Sequence, residues 1–260
     1  MTKHPPIEKL TTRLQKGGAL LSDMRLLVTA WSEEMAGQDP LPLLIRALPK
    51  ATTARMRDTF VRAFRPRFIN GSPPNAWRLV RLLEDLKVDT QFIRPFYYWI
   101  TARSESALYG YVTEVLFAQS RSQNREIRVE EAAAWLTREL QKIGKKWTPL
   151  VTLKVARGLL AALRDFEILE GTARKRLTWP NLPPATGALI AFILHQEGTT
   201  GKGLVRHLDW RLFLMGETAV EHLFLECHQH GWFKFESLGN LCRTEFPEKS
   251  FEEYAHVVFG

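Results

Sequence analysis

The chain is poor in the residues that would staple or anchor it. Only two of its 260 residues are cysteine, Cys227 and Cys242, and they form no CxxC pair. A disulfide framework is therefore excluded. The start, MTKHPPIEKL, has no apolar core segment and does not read as a secretory signal. Few cysteines and no signal point to the cytoplasm. Long hydrophobic runs are also missing. The longest stretch without Asp, Glu, Lys or Arg is 177–196. Pro180, Pro183 and Pro184 interrupt it, leaving only 185–194 as apolar helix. A membrane span needs about 20 apolar residues, so none is expected.

Catalytic signatures are lacking too. There is no nucleophile elbow, no HExxH and no nuclease-like carboxylate cluster. Glu33-Glu34 and Glu252-Glu253 are adjacent pairs that point apart on a helix and read as solvated. GTTGKG at 198–203 resembles a phosphate loop, but Gln196 stands where a Walker loop needs glycine. Gly203 replaces the magnesium-binding Ser or Thr, and a helix rather than a strand precedes it. His222, Cys227, His228, His230 and Cys242 make a poor metal set, because adjacent Cys and His do not suit one tetrahedral site. They read as a helix end with partly exposed histidines and two buried thiols. The expectation is a non-enzyme with no cofactor, no metal and no catalytic residue.

Positive charge, by contrast, is abundant. The formal net charge is +8 and the pI about 9.6, which favours polyanionic partners without specifying a fold. The apolar share is 45%, sufficient for a core without staples. The charge gathers between 142 and 176, where nine Lys and Arg face three acids. This stretch reads as helix, basic turn, helix and hairpin. Thr148 caps the second helix and Pro149 fits its first position, where no backbone donor is needed. On a 3.6-residue wheel, Val151, Val155, Ala156, Leu159, Leu160, Leu163 and Phe166 form a wide apolar face. Opposite runs a narrow stripe of Leu150, Lys154, Arg157, Ala161 and Arg164. Gly171 turns a hairpin whose tip is Arg174-Lys175-Arg176. That order matches a winged helix-turn-helix, in which a groove helix, a turn and a wing all reach phosphates. The candidate DNA contacts are Lys142, Lys145, Lys146, Lys154, Arg157, Arg164, Arg174, Lys175 and Arg176. The alternative is a solvated basic face on a packed helical domain.

The fold expected is mainly α. A multi-helix N-terminal domain (1–103) precedes a winged helix-turn-helix-like domain (104–180) and a C-terminal helical domain with a β-hairpin (181–260). Residues 1–8 read as a loose end, and Gly17-Gly18 as a break between helical pieces. Within 51–69, Met56, Phe60, Phe64 and Phe68 recur every four residues as a buried stripe. Arg55, Arg57, Arg62, Arg65 and Arg67 occupy other sides. They read either as a solvated surface or, for Arg55, Arg57 and Arg62, as a secondary nucleic-acid contact. The aromatics Phe92, Phe96, Tyr97 and Trp99 read as helical core rather than a base-stacking platform, since no strand pattern accompanies them. Ser120–Arg128 reads as loop and 198–203 as loop. Helices are expected at 208–215, 218–229 and 251–258. A second hairpin is expected from 232–235 and 241–246, joined through Gly239-Asn240. The order helix, helix, hairpin thus recurs without a sequence repeat.

LKVARGLLAALRDFEILEG (153–171), DWRLFLM (209–215), VEHLFLECHQHGWFKFESLGN (220–240) and FEEYAH (251–256) resemble the BrxA family of bacterial BREX phage-defence systems. These are packing and hairpin signatures and carry over no functional residue. The resemblance implies a helical, DNA-binding accessory protein without known enzymatic activity, acting beside other BREX proteins, among them a methyltransferase and an ATPase. It also implies winged-helix-like parts and some likeness to the RNA-binding factor NusB, which makes RNA a second possible nucleic-acid partner. Family members have carried an inner-membrane label, against which the hydropathy here argues. Three functions are expected in turn: duplex DNA binding with weak sequence preference, a protein-interaction scaffold on other BREX components, and RNA binding.

Overall fold

An aromatic stack runs through the N-terminal half from Trp31 to Tyr97. The computed structural model describes residues 10–238 and 241–260, without the Lys16 side chain. The expected loose end and the Gly239-Asn240 turn lie outside the described residues. The chain enters as a short 3₁₀ turn, Arg13–Lys16, followed by α1 (Leu21–Ala30), α2 (Leu41–Ala47) and α3 (Thr53–Thr59). α3 continues as a wider π-type helix, Phe60–Ile69, then come α4 (Ala76–Asp85) and α5 (Thr90–Ser104). The four-residue spacing of Phe60, Phe64 and Phe68 lines their rings up with Trp31 at one end and Tyr97 at the other. Neighbouring centroids are 5.3 to 5.8 Å apart, in the range where aromatic pairs attract beyond simple burial.

α5 is the central post. Asp89 caps it by accepting from the Gln91 amide at 2.8 Å, and Phe96 to Ile100 are all buried. These rings are core, as their helical spacing predicts. Tyr98 packs on Phe166 and Phe213, while Phe92 and Phe96 meet Phe259 and Phe251 of the C-terminal helix.

A continuous helical run follows: α6 (Ser106–Gly110), a π-type stretch Tyr111–Leu116, and α7 (Phe117–Gln119). Next come β1 (Glu126–Ile127), α8 (Val129–Lys142), α9 (Pro149–Asp165), β2 (Leu169–Glu170) and β3 (Lys175–Leu177). The three strands form an antiparallel sheet in the order β1-β3-β2. β1 corrects the expectation of an unbroken loop from 120 to 128. Two residues are too few to show alternation, and the strand exists because β3 offers it a ladder. The remainder is α10 (Pro184–Gln196), α11 (Gly201–Val205), a 3₁₀ turn Leu208–Phe213, α12 (Glu217–Gln229), β4 (Lys234–Leu238), β5 (Leu241–Glu245) and α13 (Phe251–Phe259). Two expectations change here. Helix starts at Gly201 inside the expected loop, and 208–213 is 3₁₀ rather than α. α10 is buried from Ala185 to Leu194, which explains its uniformly apolar sequence. No helix among the described residues is long and apolar enough to cross a membrane. The apolar core runs from Leu10 to Val258 through all three sequence segments.

Two buried polar clusters fix how these elements meet. Arg67 is 1% exposed, which corrects its place on a solvated arginine surface. Its Nε donates to Glu105 at 2.9 Å, and its Nη1 to the Gly18 and Ala19 carbonyls at 3.3 and 3.0 Å. Arg13 adds a bond to Glu105 at 3.3 Å and one to the Ser104 carbonyl at 2.9 Å. Further along, Asp209 accepts from Trp99 and Tyr109, each at 2.8 Å, and lies 3.4 Å from Arg103. Burial disfavours the Arg103 charge, but Asp209 and Glu197 outweigh it and hold its pKa above the usual arginine value.

The Arg13–Gly18 segment lies on α9. Leu14 is buried there, and its carbonyl comes so close to Gly158 that an added Cβ would sit 1.8 Å from the oxygen. Glycine in a helix interior normally costs about 0.5–1 kcal/mol relative to alanine. Here the backbone contact reverses that preference. Gly158→Ala should therefore destabilise the protein by about 1–3 kcal/mol, the usual cost of overpacking. It should also speed proteolysis within residues 10–20. A variant with an equal or higher melting temperature would refute the close approach. Glu105→Gln leaves a buried guanidinium uncompensated and should cost about 3–5 kcal/mol, whereas Arg67→Met with Glu105→Leu should cost less than Glu105→Gln alone. Chemical denaturation of the two variants beside wild type measures both values.

Candidate nucleic-acid interface

α9 begins as its sequence predicts. The Thr148 hydroxyl accepts from the Val151 amide at 3.3 Å and Pro149 occupies the first turn. Val155, Ala156, Leu159, Leu160 and Leu163 are buried and Val151 half-buried. The opposite stripe is open: Leu150, Lys154, Arg157 and Arg164 are exposed, with Ala161 partly so. On the wheel the stripe lies between two structural walls. One is the Arg13–Gly18 segment over Gly158. The other is an apolar groove between α8 and α9, of about 760 Å³, lined by Ala133, Leu140, Trp147 and Leu153.

The nine candidate cations do not behave alike. Lys146, Lys154, Arg157 and Arg174 are exposed and make no ion pair among the described residues. Lys142 is spent on structure. Its ammonium sits 2.6 Å from Glu139, a carboxylate only 3% exposed, and the hydrogen bond to Glu139 raises the lysine's pKa. Arg164 pairs with its neighbour Asp165 at 2.9 Å. Lys145 is exposed and also engaged with a neighbour. In the hairpin, the Lys175 ammonium donates to the Thr172 carbonyl at 2.7 Å and braces the turn. Arg176 stands at the centre of the sheet, opposite Glu126 on one side and Glu170 on the other. Residues in register have Cβ atoms about 4.5–5.5 Å apart, close enough for a weak cross-strand attraction, although Glu126 itself pairs with Arg128 at 3.5 Å. Gly171, at φ +85°, makes the turn that aims this hairpin.

Sequence reasoning passed over Arg125 and Trp179. The guanidinium of Arg125 lies 4.7 Å from the centre of the Trp179 ring, and Trp179 is 60% exposed. Both flank the sheet, since the Arg125 carbonyl accepts from the Leu177 amide. Local pattern gives Arg125 and Trp179 no usable signal, because a tryptophan just before a proline reads as connector and its cation partner lies 54 residues away. The secondary candidates, by contrast, are partly neutralised. Arg57 pairs with Asp39 at 3.2 Å and Arg62 with Asp58 at 3.0 Å, while Arg55 is exposed and makes no ion pair among the described residues.

The residues weighed for a metal do other work. Cys227 is buried with its thiol against the Pro184 carbonyl at 3.4 Å. His228 Nδ1 accepts from the Phe235 amide at 3.2 Å, and His230 stacks on Trp232. Cys242 is only half-buried, beside Ser237, which corrects the expectation of two buried thiols.

A mainly helical protein carrying an exposed basic helix beside a small antiparallel sheet is the class these features define. The sequence profile of the BrxA family matches residues 8–193, and the chain belongs to that family. Membership places it among BREX-associated phage-defence proteins. The matched span contains α9 and both flanking hairpin strands. The quoted segments at 209–215, 220–240 and 251–256 lie beyond it. No curated protein and no solved structure matches the chain.

Burial pushes the Cys227 thiol well above its ordinary pKa, with the neighbouring Glu226 charge adding to the effect. Under native conditions a thiol-alkylating reagent should label Cys242 and spare Cys227, and denaturant should expose both. Mass spectrometry of the labelled peptides reads this directly, and fast native labelling of Cys227 would contradict the packing.

Proposed function

We propose that the protein is a non-enzymatic duplex DNA-binding member of a BREX system, and that the segment 106–177 works as a winged helix-turn-helix. The observation that carries this reading is the open basic stripe. Lys154 and Arg157 project from α9 without ion pairs among the described residues, with Lys146 in the preceding turn and Arg174 in the hairpin beyond. The order of helix, strand, two helices and hairpin, with β3 central in the sheet, supports the winged-helix comparison. α9 would lie in or across a groove while the turn and wing hold phosphates. Trp179 and Arg125 add an exposed stacked surface at the wing's base. The stripe offers few groups able to read base edges. It has no Asn or Gln, and Arg157 is the best candidate for bidentate contact with guanine, since Arg164 pairs with Asp165. Weak sequence preference follows.

A second reading rests on the apolar groove between α8 and α9, with Lys145 and Lys146 at its lip. An amphipathic helix with acidic residues, presented by another BREX component, would match both its surface and its charge. In that case the basic turn serves a protein partner and DNA affinity is incidental.

Fluorescence anisotropy of a labelled duplex, titrated at several salt concentrations, tests the first reading. Four phosphate contacts predict a slope of log affinity against log salt of about −3.6, shared by unrelated sequences. Replacing Lys146, Lys154, Arg157 and Arg174 together with alanine should abolish most of the affinity and flatten the slope. Wild-type affinity in the folded quadruple variant would defeat this site, and a structured RNA that competes better than duplex would shift the reading to RNA. Co-purification of other BREX proteins that survives nuclease treatment, with no duplex binding even at low salt, would favour the groove.

A further inference from the structure

A second basic feature includes Arg13 and Gly17 of the entry segment and no residue of α9 in its wall. It is a cleft of about 490 Å³ lined by Arg13, Lys50, Arg55, Arg62 and Arg67, with Asp58 the one acid in its wall among the described residues. These cations come from four places in the chain: the entry 3₁₀ turn, the α2–α3 connection, α3 and its π-type extension. Their charges are held from behind. Glu105 braces Arg67 and Arg13, Asp23 braces Lys50 at 2.6 Å, and Asp58 braces Arg62 at 3.0 Å. Arg55 is exposed and makes no ion pair among the described residues. Five cations thus meet three carboxylates, two of which lie behind the wall rather than in it. The cleft keeps an excess of two positive charges.

We infer that this cleft binds a phosphate monoester. A phosphate dianion carries the charge the cleft lacks, and its oxygens accept several charge-assisted hydrogen bonds at once. The braced cations are already ordered, so less side-chain freedom is lost on binding than for mobile surface lysines. The volume lies within the usual range for small-molecule sites and exceeds that of a bare phosphate. Leu20 and Ala63 in the wall supply apolar surface for the organic group. Two sources share this chemistry: a free nucleotide and the terminal phosphate of a nucleic-acid strand. An internal phosphodiester carries one charge and is tethered on both sides, so it suits the cleft less well. This inference is independent of the α9 surface.

Isothermal titration at constant ionic strength, with chloride replaced by inorganic phosphate, tests it on the full chain. One phosphate per chain is expected to bind, and Arg55→Ala should weaken it roughly tenfold, the effect of one lost charge-assisted bond. Arg55→Glu should abolish binding. Arg55 is exposed, so melting temperatures near wild type should confirm that both variants are folded. Lys154→Ala with Arg157→Ala should leave phosphate binding unchanged while weakening duplex binding, so the two sites fail separately. A 5′-phosphorylated single strand that binds tighter than its 5′-hydroxyl twin, and tighter than adenosine monophosphate, would identify a strand end. Adenosine monophosphate binding as well as the strand would identify a nucleotide. Absence of phosphate binding, or equal binding by wild type and Arg55→Glu, would overturn the site.

Discussion

A guanidinium and a carboxylate, both almost wholly out of water, set the geometry on which the rest depends. Arg67 and Glu105 meet at 2.9 Å in the N-terminal half, where an unpaired charge would be prohibitively costly. Neither can move without uncovering the other. Through Arg67 the Gly18 and Ala19 carbonyls are held, and through Glu105 the side chain of Arg13. The entry segment is thereby pinned across α9, where the absence of a side chain at Gly158 lets Leu14 lie against the helix backbone. The ion pair thus holds the entry segment, which lies over Gly158 of α9 and lends Arg13 and Gly17 to the wall of the cationic cleft.

The Asp209 cluster does the same for the C-terminal part. Trp99, Arg103 and Tyr109 converge on a single carboxylate delivered by a 3₁₀ turn. Apolar packing alone tolerates sliding of one helix past another, because dispersion is nearly direction-free. Hydrogen bonds to a buried acid do not tolerate it. The apolar core supplies the burial, and the two polar clusters select one arrangement of it.

The candidate surface follows from this economy of charge. The protein has many more cations than acids, but buried or bracing roles consume a good share. Lys142 compensates Glu139, Lys175 braces its own turn, and Arg176 faces two glutamates. Among the nine candidate cations, those left outward with no carboxylate opposite them are Lys154 and Arg157 on α9, Lys146 of the turn and Arg174 of the hairpin. In this BrxA-family protein, that row is the feature on which the proposed DNA contact rests.

Much of the secondary structure was legible in the sequence. Periodicity located α3 to α5, α8 to α10, α12 and α13, because helices bury one stripe and expose another. The Thr148-Pro149 start of α9 was readable from local chemistry alone, and the exposure of Lys154 and Arg157 followed from the wheel. β1 was not legible, because a two-residue strand owes its existence to a partner fifty residues away. Nor were the buried roles of Arg67 and Asp209, since composition shows a charge but not its counter-charge. The nine candidate cations looked equivalent in sequence, and only the fold separated those facing carboxylates from those facing water. Local propensity and hydrophobic period are properties of neighbouring residues, so the sequence by itself determined the helices, their apolar faces and the family. Charge neutralisation and close backbone approach are properties of distant residues brought together, so only the tertiary structure decided which cations are available and where the entry segment lies.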